Sequence, residues 1–432
     1  MNSVRELKAK FGLNLLGYGY AQLVTIAVQL LLVPFFLSCW GADLYAEWLV
    51  LTSLPLLLVL ADFGVSQVSA SKATIAAGSE NWAYVRVILQ TAFVFSFFIC
   101  LSLFLVCLIL VGFFDFSGVL KLDVINNADA AIVFLLMMGC VCVNILCASI
   151  DAWYRAIDRT SLGAFLLANR RVVDIAVSIF VLMSARSPVC MAYLLFCGQI
   201  LMLFICIFFA VKFSPIKIFG FSDASLNEFK SVVKPALAYM SFPVAQVITL
   251  QGGLQMLNQL ADAKVVVLYS MSRTLVRLVL QIGVVANHAL KPELSRLIGA
   301  GQIHTAKAFT ARVSLVSMGI AVGAMSMLVF FGPEIIYYWS KGSVGADRVD
   351  IFFMGSHAVL HVMWIVPASL MIASNKHNAV AMCYAFVSLA GIFLWYLFSG
   401  FILPYFAACM LLLAPEVAAL LYVSSGYVLG KR

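Results

Sequence analysis

Residues 87–113 read VILQTAFVFSFFICLSLFLVCLILVGF, an unbroken run of 27 residues without a Lys, Arg, Asp or Glu. About 20 helical residues cross the roughly 30 Å hydrocarbon core of a bilayer. A helix satisfies its own backbone hydrogen bonds, as a segment surrounded by lipid must. The run therefore predicts a transmembrane helix.

The whole chain has the same apolar character. Of its 432 residues, 64% are hydrophobic and 11% are charged, against about 45–50% and about 25% in soluble globular proteins. Its 34 Phe and 7 Trp exclude a disordered polymer. The composition predicts an all-α polytopic membrane protein.

Twelve stretches are long and apolar enough to span a bilayer. Their predicted limits are 12–37, 45–70, 87–113, 130–151, 162–185, 189–211, 235–259, 265–289, 308–331, 351–374, 378–400 and 404–428. With both termini in the cytoplasm, eighteen Lys and Arg residues lie in predicted cytoplasmic segments and five in outer segments. Positive charge concentrates on the cytoplasmic side of membrane proteins, so the net charge of +8 reflects topology and predicts no nucleic-acid partner.

The longest polar break, residues 212–234, separates six spans from six. It predicts an N-terminal lobe at 1–212, an interfacial cytoplasmic linker at 213–234 and a C-terminal lobe at 235–432. A shift of 219 residues lays Gly64 on Gly283 and Lys72 on Lys291. Both halves run in the same direction through the membrane, so we expect a parallel duplication with a central cavity between the lobes.

Ionisable residues at membrane depth are costly, about 2.5–3.5 kcal/mol each at a helix centre, and usually face a wet interior. Arg273 and Arg277 are four residues apart near the middle of the eighth span, on one helix face, with no acid in that helix. Two guanidinium groups can bind phosphate bidentately, which predicts a substrate site. The alternative is structural pairing with carboxylates on another helix.

A second cluster lies in the fifth span. Arg170 and Arg171 are four and three residues from Asp174, so one positive charge can be cancelled within the helix. These arginines either line a cavity or extend to water at the inner edge of the membrane. We treat both as candidate substrate-binding residues.

Three acids are candidates for ion coupling, namely Asp62, Asp174 and Glu416. Asp62 is alternatively a helix-terminal polar residue, and Glu416 is alternatively a partner for an arginine across the cavity. His357 and His361, four apart, are able to bind a proton or zinc, or are packed core residues. The sequence has no GxxxxGK nucleotide loop, catalytic triad or metal-ligand set, so we expect no cofactor, no metal and no enzymatic activity.

Two segments carry a family resemblance. NLLGYGYAQLVTIAVQLLLVPFFLSCWGADLYAEWLVL with the following LADFGVSQ, and VVVLYSMSRTLVRLVLQIG with the later KPELSRLIGAGQ, resemble bacterial polysaccharide transporters, including O-antigen flippases. This family belongs to the multidrug/oligosaccharidyl-lipid/polysaccharide (MOP) exporter superfamily. The resemblance implies a V-shaped, two-lobe fold like that of multidrug and toxin extruders (MATE).

The same resemblance implies an alternating-access flippase in the bacterial inner membrane. It would move an undecaprenyl-diphosphate-linked oligosaccharide between leaflets, among membrane lipids, with a polysaccharide polymerase and a chain-length regulator as expected partners. The alternatives are an ion-coupled exporter of drugs or of a lipid-linked peptidoglycan precursor, and a membrane-embedded glycosyltransferase or polymerase. The short predicted outer segments argue against the enzyme.

Overall fold

Helices make up most of the computed structural model, which describes residues 2–113, 115–120, 122–184, 187–217, 220–340, 342, 344–398 and 403–428. Five of the basic residues used to predict the orientation lie outside these ranges, namely Lys121, Arg186, Lys341, Lys431 and Arg432. All of the candidate site residues lie within them.

The first half of the chain contains seven helices and one 3₁₀ turn in its described part. They are α1 (Asn2–Leu57), the 3₁₀ turn (Leu58–Asp62), α2 (Val65–Gly78), α3 (Trp82–Phe113), α4 (Phe116–Leu120), α5 (Asn127–Ala156), α6 (Thr160–Met183) and α7 (Pro188–Phe213). The remaining helices are α8 (Leu226–Leu260), α9 (Ala263–Gly299), α10 (Ile303–Trp339), α11 (Arg348–Ala373), α12 (Asn378–Leu397) and α13 (Pro404–Val428).

Among the described residues, ten helices are long and apolar enough to cross a membrane. They are α1, α3, α5 and α7 to α13. The predicted fifth span is also a single helix, α6, but Arg170, Arg171 and Asp174 at its centre make it more polar than the ten. The chain is therefore an all-helical, multi-pass membrane protein.

The predicted second span, 45–70, is wrong as a single helix. The backbone kinks at Gly41, where φ is 76°, continues as helix to Leu57, and breaks again before α2. At the second break Phe63 and Gly64 have φ values of 48° and 74°. Glycine adopts this left-handed conformation readily, so Gly64 can end one helical segment and begin another within an apolar run. A hydropathy window does not detect such a break in the helix, because it averages side-chain polarity and not backbone conformation.

The chain divides into two compact units, residues 1–234 and 235–432. In the first unit α5 packs against α2, α3 and α7, and in the second α11 packs against α9, α10 and α13. α5 and α11 are the most deeply buried of the ten apolar helices. The 219-residue shift carries α5 to positions 346–375, where α11 runs from Arg348 to Ala373.

The second part of the predicted linker is helical and is tied to the first unit. α8 begins at Leu226, inside the segment expected to be a surface linker. Lys72 Nζ donates to Glu228 Oε1 at 2.6 Å, and Arg86 Nε lies 2.8 Å from Asp223 Oδ2. These ion pairs hold residues 223–228 against the middle of α2 and the start of α3.

Candidate functional site

The second unit encloses a cavity of about 450 Å³ between α8, α9, α11, α12 and α13. Its lining is unusually polar for this chain. The lining residues are Gln246, Thr249, Leu250, Gln251, Arg273, Thr274, Arg277, Leu280, Gln281, Val284, His357, His361, Tyr384, Leu412 and Glu416. Three groups singled out in the sequence, the arginine pair, the histidine pair and Glu416, thus lie around one space.

Arg273 and Arg277 both line this cavity from α9. Their spacing of four residues places them one helical turn apart on the same face. Arg273 donates from Nη1 to the Leu250 carbonyl at 3.2 Å, and its guanidinium carbon lies 5.7 Å from the centre of the Tyr269 ring. Arg277 is exposed to the cavity.

Neither arginine has a carboxylate partner in the part of the chain that the structure describes. In the described part of the chain, no carboxylate oxygen lies within 4.0 Å of a nitrogen of Arg273 or Arg277. The lining offers them amide and hydroxyl groups instead. Two unpaired guanidinium groups in a half-enclosed space are suited to hold an anion with two or more oxygens, because each can donate two parallel hydrogen bonds.

Among the described residues Glu416 has no arginine nitrogen within 4.0 Å, so the arginine pairing that the sequence allowed is not formed there. Glu416 is 3% exposed, and its carboxylate accepts from His361 Nδ1 at 3.0 Å, from the Tyr384 hydroxyl at 2.9 Å and from the Trp364 indole. The carboxylate is 55 residues from His361 in sequence, so only the packing of α13 on α11 brings the two together. Trp364 and Tyr384 were not predicted as site residues.

The histidines occupy different environments although both line the cavity. His357 Nδ1 bonds the Met354 carbonyl within its own helix, whereas His361 Nδ1 bonds Glu416. Because a carbonyl and a carboxylate only accept, each Nδ1 carries a proton. The described residues contain no group of three or more His, Cys, Asp or Glu placed to hold a metal ion.

The arginine cluster of the fifth span lies in the first unit, in α6. Arg170 is 6% exposed and donates to Gln199 Oε1 from Nε at 2.9 Å and to Asn144 Oδ1 at 2.8 Å. The Gln199 amide in turn donates to both oxygens of Asp174 at 2.7 Å. A glutamine from α7 therefore stands between Arg170 and Asp174, and the predicted direct cancellation of charge within the helix is replaced by this relay.

Arg171 is exposed and donates to the Thr25 hydroxyl of α1. Next to it, the Tyr20 hydroxyl donates to Asn169 Oδ1 at 2.8 Å. Arg171 therefore joins α6 to α1 through a neutral hydroxyl and keeps its full charge. Of the two arginines, Arg170 is committed to a buried network and Arg171 is the one with an exposed surface.

Asp62 ends the 3₁₀ turn before α2. Its Oδ1 accepts from the Ser66 hydroxyl at 2.7 Å and its Oδ2 from the Ser66 backbone N–H at 3.3 Å. Such bonds satisfy amides at the start of a helix. The Ser66 hydroxyl is hydrogen-bonded to the Ser149 hydroxyl at 3.1 Å, and Ser149 to the Ser96 hydroxyl at 2.6 Å. A chain of buried hydroxyl groups thus leads from the carboxylate into the core of the unit.

One buried ion pair is not among the residues predicted from the sequence. Asp151 and Arg155, on successive turns of α5, form a salt bridge and are 7% and 4% exposed. Arg155 Nη1 also donates to Gln67 Oε1 at 3.2 Å. The predicted topology counts Arg155 as a cytoplasmic charge, and the Asp-x-x-x-Arg spacing is the signal that identifies the pair.

No family model and no curated protein matches the sequence. Solved structures match its fold over almost the whole length. An outward-facing multidrug resistance MATE family transporter of the MOP superfamily gives a TM-score of 0.80 at 11% identity, covering 99% of this chain and 97% of that one. The Vibrio cholerae MATE transporter VcmN, in a mutant form, gives 0.78 at 13% identity and covers 100% and 98%.

A third structure is similar and has a distinctive pocket. It is a MOP superfamily transporter from Pyrococcus furiosus, described as having a binding pocket of reverse polarity that suggests a different function. Its TM-score is 0.78 at 10% identity, with 99% of this chain and 97% of that one covered. The chain therefore has the fold of the MATE transporters in the MOP superfamily, the fold class predicted from its sequence.

Proposed function

We propose that the chain is a flippase that moves an undecaprenyl-diphosphate-linked oligosaccharide across the bacterial inner membrane by alternating access, with both termini in the cytoplasm. The observation that carries the proposal is that Arg273 and Arg277 lie in a polar cavity of an apolar membrane unit with no carboxylate partner among the described residues. An isolated charge in such a setting is costly, so its retention points to a ligand of opposite sign.

The chemistry of the substrate fits this cavity. A lipid-linked sugar diphosphate carries its negative charge on two adjacent phosphates, and two guanidinium groups one helical turn apart can bind both. The amides of Gln246, Gln251 and Gln281 line the same space and can hydrogen-bond sugar hydroxyls. A volume of about 450 Å³ accommodates a diphosphate and part of the attached glycan.

The second candidate function is export of organic cations. The multidrug transporter among the structural neighbours favours it, as does the carboxylate of Glu416 in the cavity lining. Against it, three donors already bind Glu416, whereas the described residues place no carboxylate oxygen within 4.0 Å of either arginine. A net cationic lining would give this chain a cavity of reversed polarity, the property described for the pocket of the Pyrococcus furiosus transporter.

Ion coupling belongs to the same proposal. Asp62, Asp174 and Glu416 stay candidates for it. In the described residues each is held by neutral donors or by histidine, with no Lys or Arg nitrogen within 4.0 Å. A carboxylate without a fixed cationic partner can change its charge at lower cost than one locked in an ion pair with arginine.

Flipping can be tested with the purified chain in liposomes that contain a short-chain, fluorescently labelled polyprenyl-diphosphate sugar. Accessibility of the label to an external quencher reports its movement between leaflets. We expect flipping by the wild type, loss in the Arg273→Ala/Arg277→Ala double variant and partial activity in the corresponding Lys double variant.

The matched control is Lys307→Ala/Arg312→Ala, which removes two exposed charges from α10, outside the cavity. It should flip at the wild-type rate. Normal flipping by the Arg273→Ala/Arg277→Ala variant would remove the arginines from the mechanism. Transport of an organic cation, with no movement of the lipid probe, would favour the multidrug exporter instead.

A further inference from the structure

Glu416 is arranged as an ionised acceptor. Three donors from α11 and α12 converge on its two oxygens, namely the imidazole of His361, the indole of Trp364 and the hydroxyl of Tyr384. An indole N–H can only donate, so the oxygen it contacts must accept. The carboxylate therefore sits in the cavity wall with its negative charge spread over three hydrogen bonds.

His361 completes a site that can bind one more proton. Its Nδ1 donates to Glu416, so Nε2 is the free basic nitrogen of the neutral ring. In the described part of the chain, Nε2 has no hydrogen-bond partner, and the residue lines the cavity. Protonation there would convert a neutral imidazole beside a carboxylate into an ion pair and change the charge of the pair from −1 to 0.

The remaining groups around the cavity set the electrostatic consequence. α8 contributes Gln246, Thr249 and Gln251, none of which titrates. The titratable or charged lining groups are Arg273 and Arg277 from α9, His357 and His361 from α11, Tyr384 from α12 and Glu416 from α13. With neutral histidines and tyrosine, the formal charge of the lining is +1. One proton on His361 raises it to +2, the charge that balances a diphosphate diester.

Resting on the function proposed above, we propose that His361 and Glu416 form a proton-binding site that links anion binding in this cavity to proton uptake. A bound proton adds positive charge to the lining, and a bound anion adds negative charge. Each is therefore bound more tightly when the other is present. By the reciprocity of linked equilibria, a bound proton tightens the anion and a bound anion tightens the proton.

His357 is not the linked group. Its Nδ1 bonds a backbone carbonyl of its own helix, and its ring has no hydrogen bond to a carboxylate among the described residues. A proton on His357 would thus lack the direct counter-charge that Glu416 gives to His361. The two histidines, both lining the cavity and both 5% exposed, provide a comparison inside the same site.

The test is calorimetric binding of a soluble geranyl-diphosphate sugar to the full chain in nanodiscs between pH 5.5 and 8.5. This probe is a diphosphate diester, so its two charges are fixed over that range. Repeating the titration in buffers of different ionisation enthalpy counts the protons taken up per anion. For the wild type we expect uptake approaching one proton, and a Kd that rises by up to about tenfold per pH unit over the range in which the anion takes up that proton.

His361→Gln should bind the probe with a Kd independent of pH and with no proton uptake. His304→Gln, at the exposed start of α10 and outside the cavity lining, should behave as the wild type, and His357→Gln should keep the proton uptake whatever its affinity for the probe. Glu416→Gln, which removes the negative charge and keeps an acceptor oxygen, should bind more tightly than the wild type at high pH.

The outcomes separate the two proposals. Binding by the wild type without proton uptake overturns the linkage and leaves the flippase proposal standing, as does undiminished uptake in His361→Gln. Because the wild-type proton count is decisive by itself, poor folding of the His361 variant does not remove the test. Absence of probe binding at every pH overturns both proposals.

Discussion

Truncation of Arg273 and truncation of Arg277 should change the stability of the protein by different amounts, because the two side chains make different contacts. Arg273 donates to the Leu250 carbonyl and lies over the Tyr269 ring, whereas Arg277 makes no such contact among the described residues. Separate Arg273→Ala and Arg277→Ala variants can therefore divide a structural contribution from a ligand-binding one.

The magnitudes follow from these contacts. A hydrogen bond from a charged group contributes about 1.5–3 kcal/mol, and a cation–π contact about 0.5–1 kcal/mol. Since Arg273 is partly open to the cavity, Arg273→Ala should lower the free energy of unfolding by about 2 kcal/mol. Arg277→Ala should change it by less than about 0.5 kcal/mol, as for an exposed side chain without partners.

Both variants should weaken anion binding. Removing one member of a hydrogen-bonded charge pair costs about 2 kcal/mol or more, equivalent to about a 30-fold increase in Kd. The measurements are thermal unfolding in detergent and affinity for the geranyl-diphosphate sugar on the same preparations. Equal losses of stability in the two variants, or wild-type affinity for the probe in Arg277→Ala, would refute this division of roles.

Three further predictions concern side chains whose hydrogen bonds the structure defines. Glu416→Ala leaves three donors without an acceptor and should lower the free energy of unfolding by about 3–5 kcal/mol; Glu416→Gln should lose less, and equal losses in denaturant unfolding would contradict this. Glu47 accepts from the backbone N–H groups of residues 123–125 at 2.6–2.7 Å, so Glu47→Ala should accelerate hydrogen exchange of those amides by about tenfold or more. Unchanged exchange would show that this loop keeps its structure without Glu47. Burial lowers the pKa of His377, between α11 and α12, to about 4, against the hydrogen bond to the Pro235 carbonyl that raises it. As the pH falls, the unfolded chain protonates His377 before the folded chain does, so the free energy of unfolding should fall by up to about 3 kcal/mol between pH 6.5 and 4. In His377→Gln the fall should be smaller by that amount. The same pH profile in both proteins would exclude His377 as the cause.

Most of the helical architecture was accessible from the sequence because lipid imposes one requirement on every span. A run of about 20 apolar residues is both necessary for crossing and easy to recognise. The failure at 45–70 has a local cause. Asp62 and Gly64 end one helical segment and begin the next by backbone conformation and hydrogen bonding to Ser66, and neither changes the mean hydropathy of the stretch.

The composition of the cavity could be predicted in part. Helical periodicity is enough to place Arg273 and Arg277 on one face, because the relation is internal to α9. The partners of Glu416 come from two other helices, 55 residues away at His361 and 32 at Tyr384. Nothing in the spacing of one helix reveals which side chains a second helix will bring to it.

The contrast between Arg170 and Arg277 shows what decides the role of an arginine in this membrane protein. Both lie near the middle of a helix, and although Asp174 stands four residues beyond Arg170 in the same helix, its carboxylate accepts from Gln199. α7 presents Gln199 to Arg170, whose guanidinium is thereby bound and buried, whereas the helices around Arg277 present a cavity. A buried, fully bonded guanidinium would have to break its hydrogen bonds to the protein before it could bind a phosphate, while an unpaired one releases only water. Since the free energy of binding reflects the new hydrogen bonds to the ligand minus the cost of breaking the old ones, Arg277 is the better ligand site, and charge alone does not identify one.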